Sequence, residues 1–360
     1  MFYLASEIKQ LVKIKTITQP EEILVFLDAA LSSEEYPGYS VRFVRLPGER
    51  AELRVQAGTS KKIFPIKPIL HPSRRLLREE CGEADTLLVT AHLSEPLAAD
   101  LRQAGIPHAD LNGRLFVCES GLLLDRRPAK TEFRPPKTGA DPFAAKASRL
   151  VRTLLAARDQ RFTQKELVAR TELSPAGVSN ALADLVVDGF VRQEGKGSRS
   201  GPAFYAVEDF DALLDAWKKK DIWAKRTTIH EYSVLSGQIQ SLAEMVQARL
   251  GGIEPVTKQP NLVFTQWFAA WQRRPYTIPP VVSAYVRPER LTDDLPWRRV
   301  NSGGNLWLVV PGDDGVFFET REENGFQIAT DVQIYLDLLQ VGQRGPDQAE
   351  ELRKWDGFAR

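Results

Sequence analysis

The stretch "LSPAGVSNALADLVVDG", residues 173–189, carries the clearest chemistry in this 360-residue chain. Ser174 is a good helix N-cap, because its hydroxyl can accept a free amide of the first turn. Pro175 fits the first helical position, where a missing N–H costs nothing. Val178, Leu182 and Leu185 then recur at four- and three-residue spacing and must face a core. That leaves Ala176, Ser179, Asn180 and Ala183 on the outward face. Small and amide side chains suit a surface entering a major groove, where Asn can pair with adenine through two hydrogen bonds and Ala can touch a thymine methyl. The same face could instead meet another protein.

Neighbouring segments supply what such a helix needs. "AKASRLVRTLLAARD" predicts a first helix with Leu150, Leu154 and Leu155 on one face. A second helix opens on Thr163 and Gln164, with Glu166 three residues after Thr163 in capping-box spacing. Leu167 and Val168 supply its buried face, "RTEL" the turn, and Leu173 an apolar plug. After Gly189, "FVRQEGKGSRSGPAFYAV" alternates as two strands around a basic, glycine-rich tip. This is a β-wing, with Arg192, Lys196 and Arg199 placed to meet phosphates or a minor groove. The expected DNA-contacting set is therefore Thr163, Gln164, Pro175, Ala176, Ser179, Asn180, Arg192, Lys196 and Arg199, and the expected ligand is double-stranded DNA.

Composition sets the frame. The length implies two or three domains, and 43% hydrophobic and 26% charged residues are those of a soluble globular protein. No apolar run is long enough for a membrane span, and the N-terminus lacks a signal-peptide core. Cys81 and Cys118 give neither a disulfide framework nor zinc spacing, and both read as buried small hydrophobes of a reduced, cytoplasmic compartment. The net charge is only +1. Yet eight basic residues between Arg126 and Arg152, Arg149 among them, face only Glu132 and Asp141. That run reads as a solvated linker or as a phosphate-contacting arm.

The expected architecture is multidomain, α/β and α+β. Residues 1–127 alternate strand-like runs ("YSVRFVRL", "AELRVQA", "KKIFPIKPIL", "TLLVTAHL", "GRLFVCES") with helical ones ("EEILVFLDAALSSE", "EPLAADLRQAG"), which suggests a mixed α/β domain. A basic, proline-rich linker follows at 128–143, the winged helix-turn-helix at 144–222, and a C-terminal α+β domain at 223–360. In the last, "SVLSGQIQSLAEMVQARLG" predicts a helix. "VVSAYVRP", "NLWLVVPG", "GVFFET" and "FQIAT" predict strands, and "DVQIYLDLLQVGQRGPDQAEELRKW" two helices broken at "GQRGP".

Other chemistry is thinner. Glu52 on one strand and Lys67 on the next resemble the metal-binding outline of restriction-endonuclease-type nucleases. In that fold carboxylates hold Mg²⁺ and a lysine orients the nucleophile. Pro65 stands where the second carboxylate belongs, so the resemblance is to a degenerate member. Asp110, Asn112, Gly113 and Arg114 read as a turn, for which Asn-Gly is the expected chemistry, or as part of a site. His71, His92, His108 and His230 show no metal-ligand spacing, although His92 and His108 flank one helix. "NSGGN" at 301–305 is explained by a hairpin. No phosphate loop or nucleophile motif occurs, so no catalytic residue, metal or cofactor is expected.

"YAVEDFDALLDAW", "NSGGNLWLVVPGDDGVFF" and the closing "YLDLLQVGQRGPDQAEELR" together resemble the AbiEi-type regulators, the antitoxin components of type IV toxin–antitoxin systems. The resemblance covers about residues 145 to 355 and places Tyr335, Asp337 and Arg344 in the closing motif, without a catalytic role. The same spacing is that of a helix packing through Ile334, Leu338 and Val341. The resemblance implies a winged helix that binds the operon's own promoter and a toxin partner of nucleotidyltransferase type. Simple members begin with the winged helix, whereas about 140 residues precede it here, which also fits a free-standing regulator. A homodimer would match a palindromic operator. The competing enzymatic reading is a Mg²⁺-dependent nuclease targeted by its winged helix.

Overall fold

The computed structural model describes residues 19–32, 36–48, 50–70, 72, 85–119, 121–128, 141–195, 201–342 and 344–360. The wing tip with Lys196 and Arg199, most of the proline-rich linker, Cys81 and His71 lie outside these residues. Two compact units are present: Met1–Thr138 with Ala183–Arg192, and Gly139–Leu182 with Gln193–Arg360. Among the described residues no helix is long and apolar enough to cross a membrane.

The first unit is built on a seven-stranded sheet whose strands lie side by side in chain order. Helix α1 (Pro20–Ser32) precedes β1 (Ser40–Leu46), β2 (Arg50–Ala57) and β3 (Ser60–Ile69), an antiparallel meander. Strand β4 (Leu87–Thr90), helix α2 (Glu95–Gln103) and β5 (His108–Asp110) continue it in parallel, and β6 (Leu115–Glu119) and β7 (Leu122–Arg126) close it antiparallel. Ile23 and Leu27 of α1 join Leu53, Val55, Phe64, Leu87 and Val89 in one core. Leu88 joins Leu97 and Leu101 of α2 in a second core. Burial on both faces is why "LLVT" reads as a continuous apolar run while β2 alternates. Strands β5 and β7 were not among the expected runs. "HAD" is too short to show a period.

Asn112 and Gly113 make the turn from β5 to β6, with Gly113 at φ 85°. The buried Asp110 carboxylate accepts the N–H groups of Leu93, Asn112 and Arg114 at 3.2, 2.9 and 3.2 Å. Arg114, only 2% exposed, pairs with Glu95. Cys118 is exposed, against expectation, because it falls on the outward side of β6 where that strand leaves the core. His108 is buried, stacks on Phe116 and bonds the Ile106 carbonyl through Nδ1 at 2.9 Å, while the half-buried His92 meets Asn112.

The second unit opens with α3 (Ser148–Ala156), β8 (Arg161–Thr163), α4 (Gln164–Thr171) and α5 (Pro175–Val187), the last of which runs on into the first unit. A small sheet of β8, β9 (Val191–Glu194) and β10 (Phe204–Val207) has the order β8-β10-β9. After α6 (Phe210–Lys220) and α7 (Trp223–Arg226) comes a second seven-stranded sheet. It contains β11 (Thr227–Ser233), β12 (Leu262–Thr265), β13 (Val282–Val286), β14 (Arg298–Val300), β15 (Leu306–Pro311), β16 (Arg321–Glu323) and β17 (Phe326–Ile328), in the order β14-β11-β15-β13-β12-β17-β16. Helices α8 (Ile239–Leu250), α9 (Gln266–Arg273), α10 (Asp331–Leu338) and α11 (Gly345–Arg353) complete it, with Phe264, Phe268 and Phe326 in mutual ring contact.

Two local expectations fail here. The helix expected around residues 233–251 starts only at Ile239, and Ser233 instead ends strand β11, which pairs with β15 over Thr227–Tyr232 and with β14 over Glu231–Ser233. "GVFFET" is no strand: Asp314–Phe317 forms a 3-10 turn capped by the Asp313 carboxylate on the Gly315 N–H. A Cβ on Gly315 would stand 2.5 Å from Arg152 and 2.7 Å from Arg149, so this turn is shaped by groups distant in sequence. The break at "GQRGP" is as expected, with Ile334, Leu338 and Val341 buried.

Burial lowers the His108 pKa from 6.5 to about 4. A depressed histidine pKa contributes stability that is complete above pH 6.5 and lost as pH falls toward 4. The loss is expected to be on the order of 3 kcal/mol. Urea midpoints measured across that range should fall for the wild type, and His108→Gln should flatten the slope.

Candidate nucleic-acid interface

Local chemistry builds the helix-turn-helix much as its sequence implies. Thr163 caps α4: its hydroxyl accepts the Glu166 N–H at 3.3 Å, and Glu166 Oε2 accepts the Thr163 N–H at 2.7 Å. Two otherwise orphaned amides are thereby satisfied reciprocally. These hydrogen bonds, with the backbone contribution first, hold the Glu166 carboxyl below its ordinary pKa. Gln164 Nε2 donates to the Pro175 carbonyl at 3.0 Å and so bridges the starts of α4 and α5. The hydroxyl of Ser174 accepts the Gly177 N–H at 3.0 Å.

The turn departs in detail from expectation. Leu173 and Val168 are only half-buried, and the fully buried residue there is Thr171. Its hydroxyl donates to the Leu167 carbonyl at 2.7 Å and accepts the Leu173 N–H at 3.3 Å. Glu172 adopts a left-handed φ of 55° to end α4. A buried hydroxyl with both functions satisfied does the work expected of an apolar plug.

Along α5 the two faces separate cleanly. Val178, Leu182 and Leu185 are buried, whereas Pro175, Ala176, Ser179, Asn180 and Ala183 are exposed. Arg192 is half-buried on β9 and already has an interaction partner. Two cations that the reading of sequence passed over are exposed on α4, Lys165 and Arg170. Lys165 lies on the side of α4 opposite Leu167, which was its signal, whereas Arg170 stacks on Phe162 at 5.0 Å and pairs with Glu319 at 3.5 Å. Because α5 carries no basic residue, charge for phosphate contact has to come from such neighbours.

The basic run ending at Arg152 is corrected most. Arg149 and Arg152 are not solvated: they are 7% and 5% exposed. Arg149 reaches Asp313 through Nε at 2.8 Å and Nη2 at 2.9 Å, in a fork geometry suited to a carboxylate. Its Nη1 reaches the Thr171 carbonyl and Glu172, both at 3.4 Å. Burial opposes the Arg149 charge, but Asp313 more than restores it, so its pKa is raised. Arg152 donates to Gln333 Oε1 at 3.1 and 2.8 Å. Neither arginine is free to touch DNA. Both instead join α3 to the C-terminal elements of the same unit.

Elsewhere, the register sets Glu52 opposite Pro65, and Glu52 accepts from Arg54 Nε at 2.6 Å. Lys67 lies on β3 as expected. Among the described residues no group of three or more His, Cys, Asp or Glu could hold a metal ion.

The fold of α3, α4, α5 and the β8-β10-β9 sheet is that of a winged helix-turn-helix, a DNA-binding class. Residues 144–195 match the family model of the IclR helix-turn-helix domain. This match supports a DNA-binding transcriptional regulator. No curated protein and no solved structure matches the chain.

Removing the capping hydroxyl should be felt without disturbing the core. Thr163→Ala is expected to lower stability by about 1 kcal/mol, read from the denaturant midpoint. An unchanged midpoint would mean that the capping box contributes nothing in solution.

Proposed function

We propose that the chain is a sequence-specific regulator that reads double-stranded DNA with α5. The observation that carries this reading is the exposed row of Ala176, Ser179 and Asn180 on a capped helix within the IclR-like segment. A helix with its apolar side sealed and an uncharged, small, amide-bearing side open can enter a major groove without desolvating a charge. Thr163, Gln164 and Pro175 order the approach of this helix. Lys165 and the wing residues Arg192, Lys196 and Arg199 supply the phosphate-facing charge.

The finer reading rests on the resemblance of the closing helices to AbiEi-type regulators. We infer autoregulation at the chain's own promoter and an antitoxin-like role opposite a toxin of nucleotidyltransferase type, with two copies on a palindromic operator. The nuclease reading draws no support, since Glu52 is engaged by Arg54 and Pro65 occupies the facing position.

Titration against the duplex upstream of its own gene, over a range of salt, tests the proposal. Affinity should fall steeply as salt rises, as several counterions are released. Asn180→Ala should weaken the best site by about 1–3 kcal/mol while leaving non-specific binding unchanged. Equal affinity of the two proteins for that site would remove Asn180 from the base-reading set.

A further inference from the structure

The second unit contains a cavity of about 290 Å³ beside α3, near the lower end of the range for small-molecule sites. Its apolar wall comes from Phe143, Trp217, Ile222 and Val316. The charged lining is four cations, Arg152, Lys220, Lys225 and Arg226, against Asp221 and Asp313.

Most of these charges are already neutralised. Lys220 holds Asp141 at 2.9 Å, Arg226 holds Asp221 at 2.6 Å, and Asp313 belongs to Arg149 at 2.8 Å. Two cations remain. Lys225 is exposed and has no ion pair among the described residues. Arg152 is buried, and its close contacts are neutral: the Gln333 amide oxygen and, at 5.4 Å, the Trp217 ring. Its Nη1 is shielded from solvent with no hydrogen-bond partner among the described residues. A buried cation without a contacting counter-charge is costly unless something supplies one. Burial accordingly lowers the Arg152 pKa to about 10.

We propose that this cavity is a binding site for a small organic monoanion, a carboxylate on an apolar or aromatic body. The carboxylate would compensate Arg152 with Lys225 at the mouth, and the body would lie against Trp217 and Ile222. The apolar wall of Phe143, Trp217, Ile222 and Val316 disfavours a small, strongly hydrated dianion such as phosphate. Arg149 links the site to the DNA-reading element, because it grips Asp313 with one edge and the α4–α5 turn at Thr171 and Glu172 with the other. Occupancy should therefore change DNA affinity, a consequence that rests on the DNA-binding reading above.

The test uses the full chain and benzoate as probe, with inorganic phosphate and benzylamine as controls. Calorimetry and thermal shift, without DNA, should show benzoate binding at millimolar Kd or tighter, and neither control binding at about 10 mM. Lys225→Glu should weaken benzoate about tenfold, and Ala145→Trp, which fills the cavity from its exposed rim, should abolish it with the fold retained. No benzoate binding by the wild type, equal affinity in Lys225→Glu, or binding of benzylamine as strong as that of benzoate would each overturn the site. Duplex affinity is then measured with and without benzoate. A duplex affinity insensitive to bound benzoate would overturn the coupling alone, whereas no duplex binding at all would overturn the DNA reading and leave the site standing.

Discussion

Taking two arginines of α3 out of water is the constraint around which the second unit is arranged. A buried guanidinium has to find acceptors, and a carboxylate in fork geometry satisfies it best. Arg149 finds Asp313, and the requirement shapes the chain around that residue. The Asp313 carboxylate caps the 3-10 turn at Gly315, and Gly315 has no side chain because Arg149 and Arg152 occupy that space. The remaining N–H of Arg149 holds the carbonyl at the end of α4. One side chain thus sets both the C-terminal loop and the turn of the DNA-reading element.

Arg152 extends the same logic into a buried polar network. Gln333 receives Arg152 on its oxygen and donates through its nitrogen to Asp337 at 2.6 Å. Asp337 is fully buried and also accepts from Arg226 at 2.6 Å, from Tyr285 at 2.8 Å and from Thr265. Burial pushes the Asp337 carboxyl up and Arg226 first among its charged neighbours pulls it down, with the upward effect prevailing. Every residue of α10 is buried, so a polar one there is tolerable only when satisfied. This accounts for Tyr335 and Asp337 in the closing motif as structural groups: Tyr335 receives Lys218 at 3.2 Å and Arg353 at 3.1 Å. Arg344 is exposed and contributes nothing to the network.

The first unit uses a different solution. Its sheet is covered by α1 on one face and α2 on the other over β4, while β2 and β3 keep one face polar. Glu52 and Lys67 lie on that polar side, which is why they looked like a nuclease outline in sequence. Strand pairing places Pro65 beside Glu52, and a ring without a carboxylate completes no metal site.

What the sequence determined alone was whatever depends on near neighbours. The capping box of Thr163 and Glu166, the Ser174 cap, the split faces of α5 and the break before Gly345 all follow from interactions within one or two turns. A helical period of 3.6 residues displays them directly. The burial of Arg149 and Arg152 could not be read in the same way, because their partners are 164 and 181 residues away. A run of basic residues looks identical in sequence whether it is solvated or paired. "GVFFET" became a turn, and Ser233 the end of a strand, for the same reason. Their conformation was decided by groups that only the folded chain brings alongside, where satisfying a buried charge or a sheet edge outweighs local preference.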